Sequence, residues 1–205
     1  MAFRVVPREN EPLSLKNDGN LEIFFIGVGS AFAATLNQTN FLIIKGDTHL
    51  MVDLGMTGPR ALAETAGLAV IDLENFFFSH SHADHIGGIE CAALTNRYVG
   101  RKFMNKPKLT ALITEEYQRV LWDYSLQGGM AANEEEGETR RRLSFGDFFK
   151  SVRPVWKKQQ PREIHEADFG PIHLEIFRTK HVPDSAGSWE ASFISYGLYL
   201  DERVF

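Results

Sequence analysis

The chain has 205 residues, 43% hydrophobic and 24% charged, a balance that is ordinary for a globular protein with one sizeable core. The net charge of −5 argues against a broad nucleic-acid-binding surface and leaves only a local basic patch open. The single cysteine, Cys91, excludes an internal disulfide, and no apolar stretch approaches the roughly 18 residues of a membrane span. We therefore expect a cytoplasmic protein with no signal peptide and no membrane partner.

The first part of the chain predicts strands and a helix after a polar start. Residues 1–20 predict a flexible lead-in, and LEIFFIGV (21–28) predicts a strand that ends in a glycine turn. The apolar runs TNFLIIK and THLMVDLG predict a hairpin joined at Gly46-Asp47. PRALAETAG (59–67) then predicts a helix that ends at its glycine.

The remaining segments continue this alternation. LENFFFSH predicts a buried strand, residues 84–100 a helix, KLTALI a strand, and TEEYQRVLWDYSL a helix capped by Thr114. The charge run MAANEEEGETRRR (130–142) predicts a solvated loop or helix surface rather than a binding segment. SVRPVW and PIHLEIFRT predict strands, and ASFISYGLYLDERVF predicts a hairpin. Strands that alternate with helices indicate an α/β layered fold.

Three histidines and an aspartate crowd into the stretch FFFSHSHADHIGG, directly after an apolar strand. Imidazole is the commonest side-chain metal ligand near neutral pH. Residues two apart on an extended strand project to the same side, so His80 and His82 can hold one ion. Asp84 and His85 begin the next element and point toward a neighbouring position. Two offset sets of ligands fit two metals about 3.5–4 Å apart.

These residues carry a family resemblance. SHSHADHIGG resembles the HxHxDH motif of the metallo-β-lactamase-fold hydrolases, FIGVGSAFA their early strand and glycine turn, and HLMVDLG their Asp-x-Gly strand end. The resemblance implies a metallo-β-lactamase-like αββα sandwich. Farther on, RTKHVPDSAGSWEASFISYGL resembles the ribonuclease Z and cyclic-nucleotide phosphodiesterase branch, in which a histidine-containing loop runs into a Tyr-Gly strand.

The family's third histidine lies at a later strand end, and His165, His173 and His181 are the candidates for it. The context favours His181, which follows an apolar strand and precedes the loop. His173 falls inside that strand, where a packed or partly exposed role suits it better. His165 and His49 are expected in polar loops, as ordinary surface residues.

The resemblance implies two divalent metal ions, with zinc favoured and manganese or iron open. The implied metal ligands are His80, His82 and His181 for one ion, with Asp84 and His85 at the start of a second site. Asp53 is not a ligand in the family pattern. Asp53 either supports the ligand loop through hydrogen bonds, without contacting the metal, or is a simple turn aspartate.

The family needs two more ligands, a bridging aspartate and a last histidine, and the chain stops at Phe205 before either. We therefore expect residues 21–205 to form a domain that lacks the end of its second half, with an incomplete second metal site. A truncated form of a longer hydrolase is favoured, and the activity of this chain alone stays open. A homo-oligomer or a partner chain that completes the fold, and a non-catalytic metal-stabilised binding or sensor module, are the alternatives.

The implied function is metal-dependent phosphodiester hydrolysis through a metal-bound hydroxide, with Asp84 as the catalytic residue that orients the attacking water. RNA 3′ ends and cyclic nucleotides are the implied substrates, and the charge of −5 leans toward a small nucleotide. Thioester and lactam hydrolysis stay open, because a fold does not fix a substrate.

Overall fold

Strands and short helices alternate along the chain. A computed structural model describes residues 11–136, 138–200 and 203–204. The strands are β1 (Glu22–Gly27), β2 (Asn40–Lys45), β3 (Thr48–Val52), β4 (Asn75–Phe77), β5 (Leu109–Leu112), β6 (Asn133–Glu136), β7 (Thr139–Arg142), β8 (Phe149–Val152), β9 (Val155–Lys158), β10 (Ile164–Phe169), β11 (Ile172–Arg178), β12 (Tyr196–Leu200) and β13 (Arg203–Val204). The α-helices are α1 (Gly58–Ala61), α2 (Ala83–Ile86), α3 (Ile89–Thr95), α4 (Arg101–Phe103), α5 (Glu115–Leu121), α6 (Gln127–Met130) and α7 (Phe145–Phe148). Further helical turns are the π-helical Leu62–Ala66, Asn96–Gly100 and Trp122–Leu126 and the 3-10 turn Val70–Asp72.

The first sheet positions the candidate site. Its strand order is β1-β2-β3-β4-β5-β8; β1, β2 and β3 pair antiparallel, and the pairs from β3 to β8 are parallel. Phe76 and Phe77 of β4 are buried, as expected for a parallel strand covered on both faces. Parallel pairing brings the carboxyl ends of β3, β4 and β5 to one edge of the sheet. In open α/β sheets, ligands bind at such an edge.

A second sheet of order β13-β12-β11-β10-β9 is antiparallel throughout, and β6 and β7 form a separate pair. One buried apolar core contains residues of both large sheets and of the helices, including Leu50, Leu174, Leu198, Ala92 and Leu121. The predicted α/β class is therefore confirmed. Among the described helices, none combines the length and apolar character of a transmembrane segment.

Most of the predicted turns and caps are confirmed. Gly46 joins β2 to β3 at φ 59°, and Gly67 ends the π-helical turn Leu62–Ala66, which continues α1, at φ 63°. Both are left-handed conformations that favour glycine. Thr114 caps α5, where its hydroxyl accepts a hydrogen bond from the Tyr117 backbone N–H at 3.2 Å. The predicted last hairpin is present as the antiparallel pair β12–β13, and its turn, residues 201–202, lies outside the described residues.

The segment of residues 130–142 is largely exposed, as predicted, but the prediction of a loop or helix there is wrong. The segment contains the exposed hairpin β6–β7, in which Glu134 lies opposite Arg141 and Glu135 opposite Arg140. Opposite charges on facing positions stabilise an antiparallel pair. The acidic run followed by the basic run thus encodes a hairpin through charge rather than through apolar alternation.

Residues 11–20 contact the fold where a flexible lead-in was expected. The Leu13 N–H donates to the Ala66 carbonyl at 2.8 Å. Asn17 exchanges hydrogen bonds with Gly46: its N–H donates to the Gly46 carbonyl at 2.9 Å, and its Oδ1 accepts from the Gly46 N–H at 2.8 Å. The first half of the expected lead-in, residues 1–10, lies outside the described residues.

Asp147 of α7 ties the exposed hairpin to the rest of the fold. Arg141 donates to its two carboxylate oxygens at 2.8 and 2.5 Å, and the Ser144 N–H donates at 2.7 Å. These hydrogen bonds, that of Arg141 above all, hold the pKa of Asp147 well below its usual range. A carboxyl whose pKa is lower in the folded than in the unfolded chain stabilises the fold above its unfolded pKa, about 3.9, and this stabilisation fades as the pH falls.

We therefore predict that Asp147→Asn lowers the free energy of unfolding at pH 7, and that the gap to the wild type shrinks as the pH falls below about 4. Urea unfolding of both proteins at several pH values measures the gap. Glu135→Gln is the matched control, because Glu135 is exposed and lies 3.8 Å from Arg140 in an exposed ion pair. A gap that stays constant with pH would contradict the assignment.

Candidate functional site

Three histidine side chains meet beside the carboxyl ends of the parallel strands. His80 Nε2 lies 3.1 Å from His82 Nδ1, and His181 Nε2 lies 3.3 Å from the same His82 atom. One ring nitrogen from each residue lies within 4.8 Å of the others. His80 is buried, His82 is half-buried and His181 is exposed, so the cluster is open to solvent on the His181 side.

Asp53 and Ser79 fix the protonation pattern of His80. Asp53 accepts two hydrogen bonds from Ser79, from the N–H at 2.7 Å and from the hydroxyl at 2.6 Å. The hydroxyl proton of Ser79 is therefore directed at a carboxylate, which can only accept. His80 Nδ1 lies 2.9 Å from Ser79 Oγ and must be the donor of that contact. Its Nε2 is then left with a lone pair that faces the other two histidines.

The electrostatics of the cluster favour neutral imidazoles. Burial, and then the neighbouring rings of His85, His181 and His82, lower the pKa of His80 to about 2. Burial, followed by the charges of His82 and His85, also lowers the pKa of His181. A ring nitrogen binds a metal through its lone pair, so neutral histidine is the ligating form. Three such donors and an open side fit a divalent cation with nitrogen ligands, for which zinc is the usual case.

Asp84 and His85 lie beside this cluster. The ring centroid of His85 is 4.0 Å from that of His80, and Asp84 Oδ2 is 3.3 Å from His85 Nε2. His85 Nδ1 donates to Asp53 Oδ2 at 2.6 Å. Burial alone would lower the pKa of His85, but the hydrogen bond to Asp53 and the charges of Asp53 and Asp84 raise it. The five predicted ligands thus lie close together. Asp84 and His85 do not belong to the group of three histidines whose ring nitrogens all lie within 4.8 Å of one another.

Close backbone packing positions the segment that carries Asp84 and His85. The Leu54 N–H donates to the His85 carbonyl at 2.7 Å, and the Gly88 N–H donates to the Leu54 carbonyl at 2.8 Å. Between these two hydrogen bonds the backbone at Gly55 lies so close to the backbone of Asp84 that a Cβ on Gly55 would lie 1.9 Å from the Asp84 carbonyl oxygen. A side chain at position 55 would therefore push the Asp84 segment away.

Two residues that position the site were not predicted from the sequence. Ser79 fixes the His80 ring through the contact with Nδ1. Asn40, 1% exposed, accepts from the Gly55 N–H at 2.5 Å and donates through Nδ2 to the Asp84 carbonyl at 3.3 Å. The available signals are slight: a serine between a buried strand and the first histidine, and an amide at the start of an apolar strand.

The loop that carries His181 is fastened at both ends. Arg178, at the end of β11, is 3% exposed, and its guanidinium lies 5.5 Å from the Trp189 ring centroid and 5.6 Å from that of Tyr196. Its Nη2 also donates to the Trp189 carbonyl at 3.2 Å. Ser192, near the other end of the loop, accepts a hydrogen bond from the His181 N–H through its Oγ at 2.7 Å. The loop is therefore held at the edge of the second sheet.

The other histidines lie elsewhere. His173 lies on β11 with a half-exposed side chain. The expectation that His165 lies in a polar loop is wrong, because it lies half-buried on β10, where Nε2 contacts Glu163 at 2.7 Å. The surface placement of His49 is also wrong: it is 8% exposed on β3, and its Nε2 accepts from the Glu74 N–H at 3.1 Å. The strands on either side of β3 and β10 bury His49 and cover part of His165.

Sequence comparison identifies relatives over most of the chain. A family model described as "Anti-Pycsar protein Apyc1" matches residues 21–205. Proteins of that description match from Paenibacillus sp. (strain J14), 30% identical over 186 residues, and from Saccharibacillus brassicae, 34% identical over 186 residues. Each alignment covers 90% of this chain and 65% of the relative. A third, from Bacillus phage BSP38, is 27% identical over 185 residues, which are 89% of this chain and 64% of the relative. The chain therefore spans slightly less than two thirds of the length of these relatives.

Solved structures share the fold. The metallo-beta-lactamase fold protein YhfI from Bacillus subtilis aligns with a TM-score of 0.57 at 17% identity, over 89% of this chain and 59% of that protein. The short form of human tRNase Z aligns with a TM-score of 0.54 at 15% identity, over 87% of this chain and 64% of that protein. At these identities the likeness shows the fold alone, and the predicted metallo-β-lactamase-like fold is confirmed.

We predict that Gly55→Ala destabilises the protein, because its Cβ has no room beside the Asp84 carbonyl. Overpacking of this kind costs about 1–3 kcal/mol, which lowers the melting temperature by at least about 2 °C. Gly128→Ala is the control, since Gly128 lies in α6 and a methyl group added there would meet no other atom within 4 Å. Thermal unfolding of both variants gives the answer, and a Gly55→Ala protein that melts with the wild type would refute the close approach.

Proposed function

This chain belongs to the Anti-Pycsar protein Apyc1 family, and on that premise we propose that it is a metal-dependent phosphodiesterase that hydrolyses cyclic nucleotides. The observation that carries the proposal is the convergence of three histidine nitrogens beside the Asp84 carboxylate. Ligands of this kind next to a carboxylate suit the activation of water for hydrolysis.

Each residue of the site has a proposed part in holding the metal. His80, His82 and His181 hold one divalent ion, which we propose is zinc, and Asp84 and His85 begin a second site. Asp53 supports both sites, since its carboxylate accepts from Ser79 and from His85. When bound, such ions supply Lewis acidity and lower the pKa of water.

Asp84 is the proposed catalytic carboxylate. It lies at the start of α2, within 3.3 Å of His85, and can orient a water molecule and accept its proton. The water oxygen forms a bond to phosphorus, and one phosphorus–oxygen ester bond of the cyclic phosphate breaks. The leaving oxygen takes up a proton, and the product is a linear nucleoside monophosphate.

A cyclic nucleotide is favoured over an RNA 3′ end as the substrate. The family match supports this choice, whereas the likeness to tRNase Z concerns the fold alone. The net charge of −5 also suits a small nucleotide better than a polyanion that needs many basic contacts. A cytoplasmic location is part of the proposal and rests on the single cysteine.

We predict that zinc raises the melting temperature of this chain and that His181→Ala removes most of the effect. An ion that binds only the folded state stabilises it by about 2.7 kcal/mol at a concentration of 100 Kd. His173→Ala is the control, because His173 lies on β11 outside the cluster. Thermal unfolding with and without zinc, and after chelation, measures the shift. Equal zinc-induced shifts in the wild type and His181→Ala would contradict the ligand assignment.

We further predict that the protein expressed from the complete open reading frame converts cyclic nucleotides to linear monophosphates in the presence of zinc or manganese. Asp84→Ala should lower turnover by about 10²–10⁴-fold, since general acid–base groups contribute that much. His173→Ala should match the wild type. Chromatography or phosphorus NMR of the products measures turnover. Full activity in Asp84→Ala would remove the carboxylate from the mechanism, and an inactive wild type would overturn the proposed substrate.

A further inference from the structure

Phe193 stacks on one histidine of the cluster. The ring centroids of Phe193 and His82 are 5.1 Å apart and their planes differ by 11°. The same phenyl ring meets the His80 ring edge-on, at 6.3 Å and 87°. Both separations lie within the range over which aromatic rings attract one another. Phe193 is therefore in contact with the ligand cluster itself.

His82 has fewer positioning contacts than its neighbours. His80 is fixed through Ser79, and His85 through Asp53. The Nδ1 atom of His82 faces His80 and His181, and within the described part of the chain no protein group hydrogen-bonds its Nε2. A metal-ligating histidine usually donates its second ring N–H to a partner that fixes the ring. Among the described contacts, the stack with Phe193 is therefore the one that can fix the orientation of the His82 ring.

Phe193 is itself tied to the segment that carries the third ligand. Its N–H donates to the Val182 carbonyl at 2.7 Å. The neighbouring Ser192 hydroxyl accepts from the His181 N–H at 2.7 Å and donates to the Val182 carbonyl at 3.2 Å. The stack thus connects His82 to the loop of His181, which is 99 residues away in sequence.

Phe193 does not serve the apolar core. It is half-buried and, among the described residues, is absent from the buried cluster and from the side chains that pack against it. Its neighbour Ile194 packs against that core. Contact with the histidines, rather than general burial, is therefore what the phenyl ring provides.

We propose that Phe193 is a positioning residue, which holds the His82 ring by parallel stacking so that Nδ1 faces His80 and His181. The inference rests on the proposed function to the extent that the cluster binds a metal. The terminal torsion of histidine is broad, so the ring rotates when the stack is lost. The apparent metal affinity then falls by the fraction of molecules that retain the ligating orientation.

The test compares Phe193→Leu, Phe193→Tyr and a matched control, Phe169→Leu, in a half-buried phenylalanine of β10 that packs against the core. Competition with a chromophoric chelator gives the zinc affinity of each. We expect zinc to bind Phe193→Leu about tenfold more weakly, which is the lower end of the loss in metal affinity when a residue that orients a metal ligand is removed. Phe193→Tyr, which keeps the stack, and Phe169→Leu should match the wild type.

NMR of the metal-free proteins provides a readout that does not depend on zinc. The ring protons of His82 should be shifted upfield by the phenyl ring current in the wild type and Phe193→Tyr, and should lose that shift in Phe193→Leu. Equal zinc affinity of the wild type and Phe193→Leu, or unchanged His82 shifts, would overturn the inference and leave the proposed function intact. A wild-type chain that binds no zinc would overturn both.

Discussion

The Asp53 carboxylate is the group on which the arrangement of the site depends. It is 4% exposed and accepts hydrogen bonds from the Ser79 N–H and hydroxyl and from His85. A buried carboxylate is costly unless such donors surround it, and loss of one partner leaves the charge uncompensated. The donors come from the segment after β4, whereas Asp53 follows β3. Satisfying this one charge therefore fixes how two strand ends meet.

The rest of the fold holds this junction from both sheets. The Tyr196 N–H at the start of β12 donates to the Ser79 carbonyl at 3.0 Å, so the second sheet contacts the segment that carries the candidate histidines directly. Beside it, the buried Tyr117 hydroxyl lies 3.1 Å from Ser81 Oγ, between the first two histidines. The proposed metal ligands therefore project from backbone that is held from several directions, which limits the reorganisation needed for an ion to bind.

Local sequence predicted the parts of the site that lie close together along the chain. The spacing of His80, His82, Asp84 and His85 after an apolar strand was sufficient to place them in one segment. His181, about a hundred residues away, required the resemblance to a family, because nothing in local spacing shows which distant histidine returns to the same edge.

Most of the missed features arise from contacts between side chains and strands that are separated in sequence. His49 and His165 lie in polar sequence. The full burial of His49 and the partial burial of His165 follow from neighbouring strands that local patterns do not reveal. The roles of Ser79 and Asn40 likewise depend on contacts with residues 26 and 15 positions away. The β6–β7 hairpin forms through facing opposite charges, a pattern that also describes a solvated loop. Element types were therefore predictable where apolar periodicity was strong.

The most direct test of the account is a crystal structure of the protein with zinc, with anomalous scattering data collected at the zinc edge. We expect one peak within about 2.0–2.1 Å of three nitrogens, His80 Nε2, His82 Nδ1 and His181 Nε2. The absence of a peak among these three nitrogens, or His82 bound through Nε2 with its ring turned away from Phe193, would contradict the proposed ligand set.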